Sequence, residues 1–142
     1  MRDVVLIVGG TTGIGLETAK YLSDNNRWKV IVCGRKSVNS SNFNSIKTDI
    51  RSKDAVQSLY DEVQNTYGDI HGLIYCAGIT TEIKPIEQFD ELCWNNIINT
   101  NVTGLLRVLK NFHQSLKATV GRVVVVNSIF LYLIAPFFRP DL

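Results

Sequence analysis

Hydrophobic and polar positions along this chain fall into blocks whose period changes, and the blocks predict strands alternating with helices. Val4 to Val8 is an unbroken aliphatic run ending in a cluster of glycines, Gly9, Gly10, Gly13 and Gly15. Helical spacing follows at once, with Leu16, Ala19, Tyr21 and Leu22 as candidate buried positions and a run to about Asn26. Trp28 to Cys33 predicts a second strand, closed by Gly34, and Ser45 to Ile50 a short third strand ending near Asp49. Between them Ser37 to Asn44 shows little helical period, so a crossover helix there is short or replaced by loop. Ser52 suits an N-cap for a helix in which Val56, Leu59, Tyr60, Val63 and Tyr67 recur until Gly68 ends the run; these aromatics read as core rather than as a ligand box. Ile70 to Gly78 predicts a fourth strand, with His71 in a structural role at the end away from the glycine turn. A loop from Thr80 to Gln88, containing Pro85, leads to a long amphipathic helix from about Phe89 to Lys117. Its apolar stripe is Trp94, Ile98, Val102, Leu105, Leu109, Phe112 and Leu116. Gly121 to Ser128 predicts a fifth strand, whose valine run, Val123 to Val126, implies burial on both faces as in a parallel sheet.

Composition adds bounds. A chain of 142 residues suits one domain, 1–142, with a real core, and no repeat, low-complexity stretch or linker marks a second. A net charge of +2 with interspersed signs implies no nucleic-acid or membrane-surface partner. Cys33, Cys76 and Cys93 lie far apart without metal-type spacing and read as reduced, mostly buried thiols in a reducing, cytoplasmic compartment. His71 and His113 are the only histidines, so no metal site is expected. The first residues enter a strand directly, without a signal-peptide pattern. The apolar run 123–138 is broken by Asn127, Ser128 and Pro136 and falls short of the ~20 residues a membrane span needs.

Buried strand, glycine turn and helix form the opening of a dinucleotide-binding βαβ unit. Glycines permit a tight turn and let a pyrophosphate approach main-chain N–H groups, and the helix N-terminus adds partial positive charge. The spacing, G-x-x-x-G-x-G from Gly9, Gly13 and Gly15, is not the general G-x-G-x-x-G; the bland alternative is a tight strand-to-helix turn with no ligand. Arg35 follows the second strand, where such folds meet the adenosine ribose. A guanidinium there suits a 2′-phosphate and favours NADP, with NAD as the alternative cofactor and an ordinary solvated arginine as the bland reading. Ala77 and Gly78 leave room for a ligand at the fourth strand's end. Asn101 falls on or beside the apolar stripe, where an amide needs hydrogen-bond partners; it is a site candidate or a satisfied core asparagine. Ser128 stands at the carboxyl end of the fifth strand, where open α/β sheets bind ligands, or is a turn hydroxyl.

In this order the stretches resemble the short-chain dehydrogenase/reductase family. V-G-G-T-T-G-I-G is similar to that family's T-G-x-x-x-G-x-G, with Val8 where threonine is usual. Asp49-Ile50 resembles its acidic adenine-contacting position, and Tyr75-Cys76-Ala77-Gly78 stands where N-N-A-G is expected, matching only in the last two residues. Asn101-Val102-Thr103-Gly104 is similar to the helix motif with the catalytic asparagine, and 121–128 to the strand delivering the catalytic serine. The resemblance implies an α/β fold, a Rossmann-type doubly wound parallel sheet in the order 3-2-1-4-5, with the cofactor across the β1/β4 crevice. It implies reversible hydride transfer between a nicotinamide and a small alcohol or carbonyl substrate, and a homo-oligomer as one option for the full-length form. Gly9, Thr11, Thr12, Gly13, Ile14 and Gly15 would hold the diphosphate, Arg35 would meet the adenosine end, and Asp49 and Ile50 the adenine. Ala77 and Gly78 would flank the nicotinamide ribose, Ser128 would hydrogen-bond the substrate oxygen, and Asn101 would support a proton-relay water.

The family's acid–base pair follows the serine as Y-x-x-x-K. Here Ser128 is followed by IFLYLIAPFFRPDL, no lysine comes after Lys117, and Tyr132 does not substitute, because Pro136 stands where its lysine would fall. Asp141 and Leu142 lie near where the tyrosine would begin. The expectation is the N-terminal part of a dehydrogenase/reductase, truncated at the C-terminal side and with little or no turnover alone. Its fifth strand would be an exposed apolar edge, and its tail, 129–138, would have little to pack against. The rival reading is a non-catalytic nucleotide-binding or interaction module docking through that apolar tail, and a third is a structural α/β domain with no ligand.

Overall fold

The computed structural model describes residues 2–25, 27–80, 85–88 and 90–127. Its strands are β1 (Asp3–Val8), β2 (Trp28–Gly34), β3 (Asn44–Lys47), β4 (Gly72–Tyr75) and β5 (Arg122–Val125). Its helices are α1 (Gly13–Ser23), α2 (Lys53–Tyr67), α3 (Glu91–Ile98) and α4 (Gly104–Ala118), with a 3-10 turn at Ile86–Gln88 and a π turn at Asn99–Thr103. The strands form one parallel sheet in the order β3-β2-β1-β4-β5, as the resemblance implies.

Strand side chains point alternately to opposite faces, so the aliphatic run of β1 feeds two cores. Val4, Leu6 and Val8 join Leu59 and Val63 of α2 and Val108, Phe112 and Leu116 of α4 on one face; Val5 and Ile7 join Ala19 of α1 and Val30, Val32 and Phe43 on the other. Helices therefore cover both faces, the doubly wound arrangement, and β1 needs apolar residues on both faces from Val4 to Val8. Tyr60 meets Phe112 edge-on at 5.2 Å, so the α2 aromatic is core, as its spacing suggests. His71 accepts from the Val4 N–H through Nδ1 at 3.2 Å and sits 3.5 Å from the Asp3 carboxylate, at the end of β1 remote from the glycines. No helix is described between β2 and β3, where the sequence shows no helical period.

Several expectations give way. Tyr21 is 78 % exposed, because α1 turns Leu16, Ala19 and Leu22 toward the sheet and Tyr21 away. The helix expected over 89–117 is interrupted: the wide turn at Asn99–Thr103 adds backbone and rotates what precedes it, so Trp94 and Val102 face outward and Thr100 and Gly104 inward. β4 is shorter than expected and ends before Ala77 and Gly78, β3 ends before Asp49, and α1 ends at Ser23. Only Cys33 is fully buried, its thiol pushed up to about 12 by that burial; Cys76 and Cys93 are half-buried, and none is in a disulfide. The valine run of β5 is not buried on both faces. Val124 is 53 % exposed and its neighbours similarly, since β5 pairs with β4 along one side and no described element packs closely over its faces. That matches the expectation of an apolar edge. The tail, 129–138, lies outside the described residues, as does Ser128.

Candidate functional site

Because all five strands run the same way and are paired in register, their carboxyl ends share one edge: Val8 lies beside Cys33 and Tyr75, Gly34 beside Lys47, and Tyr75 beside Val125. The chain order reverses across β1 and β4, which opens a crevice at that edge. The turn 9–12 is fixed there by Gly9 and Gly10 N–H groups donating to the Cys33 carbonyl at 2.9 and 3.2 Å. The segment after β4 is fixed by Cys76 N–H donating to Val8 O at 2.7 Å.

The glycines divide by what surrounds them. A Cβ on Gly9 would stand 2.6 Å from the Ala77 nitrogen, and one on Gly15 would collide with the Gly9 carbonyl. Those two positions are small so that turn, helix and β4 segment can touch. Gly9 (φ +79°) and Gly13 (φ +53°) both hold left-handed values that disfavour side chains, but a Cβ on Gly13 would meet nothing within 4 Å. Its face is open. Thr12, the N-cap of α1, has an extended backbone and makes no side-chain capping bond, and no acidic residue lies in the first turn. The first N–H groups of a helix lack intrahelical acceptors, so this start presents donors and partial positive charge to the open side of Gly13. Thr12 and Ile14 are exposed beside it, while Thr11 packs against Gly34 at the end of β2.

Past β4, Gly78 approaches Asn101; a Cβ on it would lie 3.7 Å from Asn101 Oδ1. The Asn101 amide makes paired bonds to one residue: Oδ1 accepts from Ile79 N–H at 2.8 Å and Nδ2 donates to Ile79 O at 2.9 Å. Asn101 belongs to the π turn, whose Thr100 carbonyl accepts from the Tyr75 hydroxyl at 2.7 Å. Burial raises the Tyr75 phenol well above its usual range and keeps it protonated as that donor. Among the described residues Thr100 Oγ1 is buried without a hydrogen-bond partner, at a cost of roughly 1–3 kcal/mol, so the turn is held against an adverse term.

A second group gathers past β2 and β3. Arg35 is exposed, Asp49 half-buried and Ile50 buried. Asp49 accepts from the Arg51 guanidinium at 2.7 to 3.2 Å and from the Arg51 N–H at 3.0 Å. Those side-chain hydrogen bonds hold its carboxyl below the usual carboxylate range, with the Arg35 charge adding a smaller push. Most of the carboxylate's acceptor capacity is thus taken by Arg51. The structure brings Gly9 to Gly15, Ala77, Gly78 and Asn101 around one crevice and sets Arg35, Asp49 and Ile50 along the same edge. Among the described residues no cluster of His, Cys, Asp or Glu could hold a metal, and no helix is long and apolar enough to cross a membrane.

The family model described as short chain dehydrogenase matches residues 3–131. Sulfoacetaldehyde reductase 2 of Chromohalobacter salexigens is 28% identical over 137 residues, covering 89% of this chain and 54% of its own length. The 3-oxoacyl-[acyl-carrier-protein] reductase MabA of Mycobacterium avium is 32% identical, covering 88% of this chain and 49% of itself. Among solved structures, the aldohexose dehydrogenase of Thermoplasma acidophilum superposes with a TM-score of 0.82 at 27% identity, covering 90% of this chain and 50% of that one. The chain spans about half the length of the curated relatives it matches.

Proposed function

This chain belongs to the short-chain dehydrogenase family, and from that premise we propose that it holds a nicotinamide dinucleotide across the β1/β4 crevice for hydride exchange with an alcohol or carbonyl substrate. The observation that carries the reading is the start of α1, open at Gly13 and uncapped at Thr12. N–H groups there can donate to a diphosphate, and charge-assisted hydrogen bonds of this kind are shorter and stronger than neutral ones. Gly9, Thr11, Thr12, Gly13, Ile14 and Gly15 form the phosphate cradle in this reading. Ala77 and Gly78 flank the nicotinamide ribose, and Ile50 and Asp49 bound the adenine pocket. Arg35, exposed past β2, pairs with a 2′-phosphate, which makes NADP the preferred cofactor.

When bound, the dinucleotide supplies the hydride; the residues of this chain bind and orient it. The Asn101 side chain is paired to Ile79, which fixes the segment that borders the nicotinamide end. In this reading Asn101 supports a proton-relay water, through main-chain groups of the π turn or the amide's remaining N–H. Ser128 would hydrogen-bond the substrate oxygen. The sequence holds no Y-x-x-x-K after Ser128, and general acid–base catalysis typically contributes ~10²- to 10⁴-fold, so these 142 residues alone are expected to bind cofactor and turn over carbonyl substrates little or not at all.

The test is titration of this chain with NADPH and NADH, followed by tryptophan fluorescence and melting temperature. NADPH should quench and stabilise more than NADH does. Equal or better NADH binding removes the role given to Arg35, and binding of neither removes the reading.

A further inference from the structure

Arg107 has no part in the site described so far, yet it touches both halves of it. A π turn closes wider rings than an α-helix, which loosens the fit between its carbonyls and the usual helical donors. Two side chains from outside the turn reach its carbonyls here: the Tyr75 hydroxyl donates to Thr100 O at 2.7 Å, and Arg107 Nη1 faces Asn99 O at 3.4 Å. The same Nη1 donates to Asn99 Oδ1 at 2.7 Å, the contact that sets its position, and lies 3.4 Å from the Ile50 carbonyl. One half-buried guanidinium thus joins the loop that follows β3, the π turn and α4. Ile50 belongs to the adenine end of the edge; two residues beyond Asn99 is Asn101, whose amide holds Ile79 at the other end.

We propose that Arg107 is a positioning residue: its bridge from Asn99 to Ile50 locks the π turn, and the locked turn holds Asn101 against Ile79. The identity of what the edge binds rests on the preceding subsection, but the mechanical claim does not. A planar guanidinium can face several acceptors from one fixed position, whereas an ammonium is a point donor on a flexible stem. Arg107→Met should therefore release the turn, and Arg107→Lys should restore part of the constraint.

The experiment is amide hydrogen exchange on the whole chain, reading the Ile79 N–H that donates to Asn101, with NADPH affinity measured beside it. In Arg107→Met the Ile79 amide should exchange at least tenfold faster while Leu6, in the middle of β1, is unchanged; NADPH affinity should fall three- to tenfold; and Arg107→Lys should lie between. Unchanged Ile79 exchange in folded Arg107→Met overturns the proposal. Asn99→Ala, which removes the 2.7 Å acceptor and leaves the arginine, gives an independent reading: faster Ile79 exchange supports the bridge and unchanged exchange overturns it. A wild-type chain that binds no NADPH contradicts the functional reading, and the exchange of Ile79 still decides for or against Arg107.

Discussion

Helices α1 and α2 both start at the carboxyl edge of the sheet, and they start in opposite ways. At α2, Ser52 Oγ accepts from the Ala55 N–H at 3.2 Å and Asp54 places a negative charge in the first turn. Such a cap contributes about 1 kcal/mol, and an acid near the helix start roughly 0.3–1 kcal/mol more. At α1 the N-cap Thr12 makes no side-chain bond, the first turn has no acid, and Gly13 holds a left-handed φ with nothing in front of it. One start is complete within the protein; the other leaves its donors and its field unanswered. The contrast favours an external anion at α1, since a purely structural turn has no use for such a gap.

Five changes test this contrast, beginning with the one of largest expected effect. Gly13→Val puts a branched side chain into the open space where a phosphate would approach. It should lower NADPH affinity about 100-fold, a loss of one or two charge-assisted hydrogen bonds worth roughly 1.5–3 kcal/mol each, by fluorescence titration. Gly13→Ala separates the strain of the positive φ from the blockage. The matched change at the other start, Ser52→Ala, should cost about 1 kcal/mol in denaturant unfolding and leave nucleotide affinity alone. Arg35→Gln should weaken NADPH about tenfold, close to one hydrogen bond to a charged group, with little change for NADH. Thr12→Asp gives α1 the cap it lacks: stability should rise by up to about 1 kcal/mol while NADPH binding weakens, because the carboxylate competes with the diphosphate for the same amides. A rise in stability with full affinity would mean that those amides are not the phosphate site.

The smallest effect is one of pH. Asp49 has its folded-state pKa lowered, first by the Arg51 hydrogen bonds, so its contribution is complete above the ordinary carboxylate pKa and disappears as pH falls through the lower folded value. The melting temperature should drop on acidification below the ordinary carboxylate range, and Asp49→Asn should flatten part of that limb. An identical acid profile in the variant would show that the pair contributes nothing measurable.

What could be read in the sequence was what depends on local pattern. The runs Val4–Val8 and Trp28–Cys33, the cap at Ser52 and the stop at Gly68 each announce themselves through neighbours, and the sheet order follows from the family resemblance those elements support. The π turn was not legible, because the groups that contact it come from outside the segment: Tyr75 and Ile50 lie close to Gly104, and Tyr75 and Arg107 donate to Thr100 and Asn99. That turn is why Trp94 and Val102, in phase with Phe112 on paper, are exposed. β5 misled for a related reason: a valine run records what a strand is built to be covered by, whereas the exposure of Val123 to Val126 records what is packed on it here. Among the edge residues, Gly13 was marked by the glycine spacing, and Arg51 could have been suspected from its position two residues past Asp49. Ile79 carried no sequence signal, since its partner Asn101 lies 22 residues on, and neither did Arg107, whose bridge joins Asn99 to the distant Ile50.

The most direct measurement is amide chemical-shift mapping during an NADPH titration. Large shifts are expected for the Gly13, Ile14 and Gly15 N–H groups at the start of α1, with Lys53, Asp54 and Ala55 at the start of α2 nearly unmoved. Saturable binding that leaves 13–15 unperturbed would contradict that expectation, and so would a folded chain in which neither helix start responds.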